Sequence, residues 1–440
     1  MMSLFTTHKE GRMNTKIAYG IGIVVAVVLA MSSCGASPGA AEPTADFDPD
    51  KTYNLTMGTF GDLEAAYSVV LRSEHFRSLY PNINISFQSA DFGGHHDRLT
   101  TQIAAGERTN DIESLEVAFI ALFVEQGDSL TDLNQEPFNA ASHISDLVDF
   151  AVSQGQTRAG EQVAVPVDIA PAVLFFREGL AREAGANFRN LGSWEEFIQE
   201  SRKVSGNGRF AVPNASDVGL IPLAGGKGGW LDASGTPLVP RAKFMESLNL
   251  VAAVREAGID ADLNAWSGPW IDSFANGTVV AIPNGAWWGG ALRTWVAPNV
   301  DDWRVTYLPG RSMSSLGGTY LSIPATVPAE NRAAAWEVIK YLSTTPEAQL
   351  LTFDTIDAFP ALTTTYDDPV MSEPIPYFGN EPVREVFADV ALNMPSQIVS
   401  EYDRMIESIW GSIIGEVIEG DLTPEQGYER ALRQIRSQMD

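Results

Sequence analysis

The chain has 440 residues, 29 basic against 56 acidic side chains for a net charge of −27, and one cysteine. Its length and 45% hydrophobic content predict two or more domains or lobes with a substantial core, and argue against disorder. The acid excess would repel a phosphate backbone, which argues against nucleic acid as a partner, and a single Cys34 excludes both an internal disulfide framework and a cysteine-clustered metal site.

Residues 1–33 read as an export signal and not as part of the fold. Lys9, Arg12 and Lys16 form a basic flank, the apolar run Ile17 to Met31 follows, and Ser32-Ser33 precede Cys34. The run is short for a membrane-spanning helix, which needs about 18 residues or more. Small residues before a cysteine at this place resemble the lipobox of bacterial lipoproteins, with Met31 where Leu is usual, and the resemblance implies lipidation at Cys34. An uncleaved anchor is the alternative; either places the globular part outside the cytoplasm, on the outer face of the membrane or in a periplasm. Met13 is an alternative start, because the residues after Met2 add nothing that a signal requires. Residues 34–50, rich in Ala, Pro, Ser, Gly and Asp, read as a flexible tether.

From residue 52 the pattern alternates between strand and helix. Thr52 to Met57 has strand alternation, Gly58 to Asp62 is expected to break it, and Leu63 to Tyr80 reads as one helix with Asp62 as its N-cap and Pro81 as its stop. Ile83, Ile85 and Phe87 then alternate, which completes a β-α-β unit. Leu99 to Ala105, Ile112 to Leu115 and Val163 to Val167 continue the series, so an α/β architecture is expected. Seven tryptophans lie between residues 225 and 303 (Trp230, Trp266, Trp270, Trp287, Trp288, Trp295 and Trp303), among Gly-Gly pairs. Ala333 to Leu342 and Glu401 to Met439 return to helical spacing, the latter interrupted by Gly411, Gly415 and Gly420.

Four groups of segments, in order, resemble the extracellular solute-binding proteins of ABC importers that carry sugars and oligosaccharides. They are Gly58-Thr59-Phe60-Gly61 with Leu79-Tyr80-Pro81-Asn82-Ile83; Asp97 to Gly106 with Asn110-Asp111-Ile112; Val165-Pro166-Val167-Asp168 with Leu174 to Arg177, Ala184-Gly185 and Ser193 to Phe197; and Phe274 to Thr278 with Asn284 to Trp288, Gly317-Gly318 and Ala334-Ala335-Trp336. Pro376 to Asn380 is similar to a late segment of oligosaccharide-type members, although Asn380-Glu381 stands where those carry Gly-Gln, which leaves the ligand subclass open. The resemblance implies the two-lobe periplasmic-binding-protein-like fold (type II), with crossover strands near Asp168, Pro309 and Phe359 and a ligand cleft between the lobes. Lobe 1 would be 51–167 and 310–356; lobe 2 would be 168–309 and 357–440. It also implies a monomeric, non-enzymatic receptor that takes a mono- or oligosaccharide, needs no cofactor and delivers its ligand to the permease subunits of a transporter.

Sugars offer hydroxyls in the ring plane and apolar faces above and below it, so carboxylates and flat aromatics are the side chains to look for. Asp168, at the first crossover, and Glu116, after the third strand, sit at the ends of apolar strands where α/β proteins hold ligands. Asp62 and Glu64 follow the first strand, with helix capping as the alternative role for Asp62. By the family resemblance Trp287 and Trp288 fall at the cleft mouth, with Trp287 preferred, and Trp230 is comparably placed. Trp266 flanks a loop that could reach the ligand, and core packing is the alternative for each tryptophan. Gly318, Phe359 and Phe378 complete the set. His95-His96 after Gly93-Gly94 suggests a metal, yet no further ligands lie at suitable spacing; a ligand-contacting loop residue at His96 is the better expectation. Two other functions stay open: a secreted glycoside hydrolase using two of these carboxylates, and a same-fold receptor for a polyamine or other cation, which the negative charge would suit.

Overall fold

The computed structural model describes residues 46–125, 129–225, 241–396, 400 and 402–439. Two sheets organise residues 44–440. The first has the order β2 (Ile83–Ala90), β1 (Tyr53–Phe60), β3 (Ile112–Glu116), β8 (Thr319–Ser322), β4 (Val165–Pro166). In it β1 pairs in parallel with β2 and β3, while β8 runs antiparallel to β3 and β4. The second has β5 (Ala172–Arg177) between β6 (Ala281–Gly285) and β7 (Trp303–Thr306), all antiparallel. Residues 210–212 extend it: the Val280 N–H donates to the Phe210 carbonyl, and the Ala211 N–H to that of Ile259.

The chain passes between the sheets three times, and the three segments lie side by side. Val167–Ala172 leads from β4 to β5; the Ala172 N–H donates to Ser314 O (2.8 Å) and the Leu316 N–H to Ala170 O (2.9 Å), which places 314–319 against it. The Ile169 N–H donates to Phe359 O (2.9 Å), and Asp168 bridges to Pro360, which places 359–361 on its other side. The second passage therefore lies at 314–319 and not near Pro309, which belongs to a 3-10 turn, Pro309–Arg311.

Local chemistry explains where the elements depart from expectation. β1 runs on through Gly58, Thr59 and Phe60, because each pairs with a residue of β2. The helix expected over 63–80 is two, Leu63–Leu71 and Glu74–Leu79, since the Ser73 hydroxyl accepts the Phe76 N–H (3.2 Å) and starts a new one. Asp91 likewise accepts the Gly94 N–H (3.0 Å) and starts the helix Phe92–Ala104, so Gly93, Gly94, His95 and His96 are helical. At the C-terminus, helices Asp403–Ile418 and Pro424–Met439 pack together; Gly411 and Gly415 lie within the first, and only Gly420, at φ +81°, helps to end it.

Buried side chains form two clusters. One gathers around the first sheet and continues to Trp270, Phe274, Trp288 and Trp303; the other joins Leu174 and Phe176 of β5 to Phe244, Leu248, Trp410 and Ile413 of the helices. Among the described residues no helix is long and apolar enough to cross a membrane.

Candidate ligand-binding site

β3 is a buried strand whose last residue, Glu116, emerges beside the second passage. The Val117 N–H donates to Gly318 O (3.0 Å), and the Glu116 Oε2 accepts the Ala118 N–H (2.9 Å) at the start of the helix Val117–Glu125. Its Oε1 faces Gly317: a Cβ built there would lie 3.6 Å from Glu116 Oε1, 3.7 Å from Trp287 Nε1 and 3.5 Å from the Ala170 methyl. Gly317 and Gly318 hold φ +122° and +141°, a backbone that only glycine takes without strain. Gly317 thus lets a carboxyl from β3 and an indole from beyond β6 meet against one backbone segment.

Asp168 sits within the first passage. Its Oδ1 accepts the Thr319 N–H (3.1 Å), while its buried Oδ2 has no partner in the protein. Burial pushes the Asp168 carboxyl up to about 6, and pushes Glu116 up to about 7 with the Asp168 charge adding to the shift. Tyr67 and Tyr320 stand near this charge, and their phenols are raised by burial and by Asp168. Tyr320 donates to Gln154 Oε1 (3.0 Å), whereas the buried Tyr67 hydroxyl is unpartnered.

The aromatic side is built beyond β6. Trp287 is half-buried, and its Nε1 donates to Leu316 O (3.0 Å), which ties it to the second passage. Gly285 leaves the space it needs: a Cβ there would come within 2.8 Å of Trp287 Nε1. Trp266, 45% exposed and at φ +66°, stacks on Trp287 with centroids 6.0 Å apart and planes at 16°. Beneath them Phe274 packs edge to face with both Trp270 and Trp288, which lie tilted against each other in the core.

The geometry therefore brings together Glu116, Asp168, Gly318, Trp287 and Trp266. It does not gather the other candidates with them. Trp288, Phe359 and Phe378 are core residues, 0%, 1% and 1% exposed, so each contributes packing and offers no face to a ligand. Asp62 and Glu64 are exposed at the start of Leu63–Leu71, where Asp62 holds the N-cap position without a side-chain cap bond. Trp230 and Cys34 lie outside the described residues.

His96 is a correction. It is buried within a helix and stacks on Phe119 (3.9 Å, 16°). Its Nε2 accepts the Glu116 N–H (3.1 Å) and its Nδ1 faces Phe92 O (2.8 Å); an N–H can only donate and a carbonyl only accept, so the proton is on Nδ1. Burial lowers both His95 and His96 to about 4, so they are neutral at physiological pH. His96 holds the end of β3 in place and has no free nitrogen for a ligand. Among the described residues no group of three or more His, Cys, Asp or Glu side chains gathers to hold a metal.

Comparison with known proteins assigns this arrangement to a family. The bacterial extracellular solute-binding protein family matches residues 73–376. The chain belongs to that family. Over 188 residues it is 25% identical to the arabinooligosaccharide-binding protein of Bacillus subtilis (strain 168), an alignment covering 41% of this chain and 42% of that relative, and so less than half the relative's length. A crystal structure of an extracellular solute-binding protein of family 1 superposes with a TM-score of 0.77 at 24% identity, over 87% of this chain and 99% of the other. The GacH receptor of Streptomyces glaucescens, solved unliganded and with acarbose, superposes at 0.69 and 18% identity over 88% and 98%. These likenesses establish the two-lobe periplasmic-binding-protein-like fold that the sequence resembles.

Proposed function

We propose that this solute-binding protein is the sugar receptor of an ABC importer, which captures a mono- or oligosaccharide between its lobes and presents it to the permease subunits. The observation that carries the reading is the meeting of Glu116 and Asp168 with the Trp287–Trp266 stack around the Gly317-Gly318 backbone. Carboxyls bond the hydroxyls of a sugar and indoles cover its C–H faces. The Bacillus relative binds arabinooligosaccharides by name and GacH was crystallised with acarbose, which supports the same class of ligand here. Binding, without cleavage, is the whole of the task in this reading. The lobes divide at the three passages, 51–167 with the segment from 319 to 356 against 172–314 with 361–440. The molecule acts as a monomer, held outside the cell membrane by a lipid on Cys34.

Thermal-shift and calorimetric titration with arabinotriose, maltotriose, acarbose and spermidine tests the ligand class, because a ligand that binds only the folded state raises the melting temperature. A shift with a saccharide, recovered intact after prolonged incubation, is expected. A shift with spermidine alone replaces sugar by a polyamine, and released reducing ends replace the receptor by a hydrolase. For the anchor, Cys34→Ala should move the protein from the membrane fraction to the medium or periplasm; unchanged retention overturns lipidation.

A further inference from the structure

Beside the third passage lies a cavity of about 10 Å³, between the helix Trp287–Ala291, the end of the helix Pro346–Ile356 and the helix Val383–Leu392. Phe359, Phe378 and Phe387 wall it, each at most 5% exposed. Two guanidiniums line this apolar hollow, Arg293 and Arg384, against one carboxylate, Asp357. Asp357 pairs with Arg293 Nη2, and Gly290 makes room for it, since a Cβ there would lie 2.7 Å from Asp357 Cβ. Arg384 donates from Nη1 to Val370 O (2.8 Å) and holds its guanidinium 5.0 Å over the ring of Phe353. Glu373 comes only to 4.0 Å of Arg384 Nη1 and is 63% exposed, where water screens its charge. The same group is left over on both arginines: the Nε–H of Arg293 and the Nε–H of Arg384 are buried without a partner in the protein. The two side chains are 31% and 14% exposed, which leaves a path from solvent along them.

We propose that this cavity is a binding site for one halide ion, held by the Nε–H groups of Arg293 and Arg384. A guanidinium carries donors only and does not give up its proton, so the occupant must accept from both. The volume leaves room for about one water-sized particle, which excludes phosphate, sulfate and carboxylates. A water molecule would accept the same two bonds but would leave the second guanidinium charge uncompensated among phenylalanine rings, and an ion of opposite charge removes that cost. None of Glu116, Asp168, Trp266 and Trp287 lines the cavity, so the inference stands apart from the sugar reading.

Two measurements, both without saccharide, test the site. Crystals of the wild type grown with sodium bromide should show an anomalous-scattering peak in the cavity, within hydrogen-bond distance of both Nε atoms. Thermal melting in sodium chloride and in sodium methanesulfonate at equal ionic strength gives the solution readout, because an ion that binds only the folded state raises the melting temperature. The wild type should melt about 2–4 °C higher in chloride, with a saturating dose dependence, and Arg384→Met should melt alike in the two salts. A water without anomalous signal in the cavity, or a bromide peak only elsewhere, overturns the proposal. So does an equal chloride response in wild type and Arg384→Met. A bromide peak in the cavity with no melting shift in the wild type means an adventitious ion only, and overturns it as well. The diffraction measurement needs no variant, so a misfolded Arg384→Met still leaves the proposal open to refutation.

Discussion

At the scale of single residues, the site sets carboxyl groups against burial. Glu116 is raised from 4.5 to about 7 chiefly by desolvation, so the folded state holds its proton over a range where the unfolded chain releases it. The sign follows: folding binds the extra proton between about pH 4.5 and 7, and the contribution of Glu116 to stability falls as pH rises through that window. Glu116→Gln, which keeps an oxygen for the Ala118 N–H, should therefore be no more stable than wild type at pH 4, relative to which its advantage grows up to about pH 7 and then levels off. Urea denaturation at a series of pH values measures this, and a difference that stays constant from pH 4 to 8 would refute the protonated Glu116. The partner across Gly317 gives a second expectation. Trp287→Ala removes a half-buried indole and its bond to Leu316, and should weaken saccharide binding by about 1–3 kcal/mol while leaving the far-ultraviolet circular dichroism unchanged. Affinity within a factor of two of wild type would take Trp287 out of the site.

At the scale of elements, the decisive device is the cap at Asp91. Its carboxyl accepts the Gly94 N–H and starts the helix that carries His96 to the Glu116 backbone. Asp91→Ala should cost about 1 kcal/mol in urea denaturation, as N-cap losses do, and should weaken saccharide binding too because the end of β3 loses its support. Asp91→Asn, which can still cap, should restore most of both; a failure of Asn to rescue would mean that the charge and not the cap is what matters. The same cap shows what sequence could and could not reveal. Strand alternation at Ile83, Ile85 and Phe87 was legible because one face of that strand is apolar, whereas the strand at Ile112 to Leu115 buries Glu113 and Ser114 along with its two apolar residues, which its pattern does not announce. Gly93-Gly94 reads as a loop until the Asp91 cap is recognised, and His96 was therefore expected on a loop. The places of Trp287 and Asp168 beside the crossing segments were readable from strand ends and, for Trp287, from the family resemblance. Trp288, Phe359 and Phe378 carried the same aromatic signal as Trp287; adjacent residues turn opposite ways, and composition cannot say which way.

At the scale of the whole molecule, the three side-by-side passages are the natural place for the lobes to turn, and one further contact bears on how far they open. Arg404 begins the helix Asp403–Ile418, which belongs to the core of the second sheet, and its guanidinium sits 4.8 Å over the ring of Phe119, on the helix that follows β3. Phe119 in turn stacks on His96, which accepts the Glu116 N–H, so a contact made by the helix Asp403–Ile418 reaches Glu116 through two rings. A cation over an aromatic face contributes about 0.5–2 kcal/mol, which changes the ratio of closed to open forms by roughly twofold to thirtyfold. Because this contact needs no ligand, it should bias the empty protein towards closure, while a ligand that touches both lobes would add contacts that exist only when they meet. Small-angle scattering should show the wild type contracting on addition of a saturating saccharide. Arg404→Ala should have a larger radius of gyration than wild type when empty and the same radius when saturated, with affinity reduced by the share of closure that Arg404 had supplied. If the two empty proteins scatter alike, Arg404 does not govern the opening; if the saturated wild type fails to contract, closure of the lobes is not how this receptor holds its ligand.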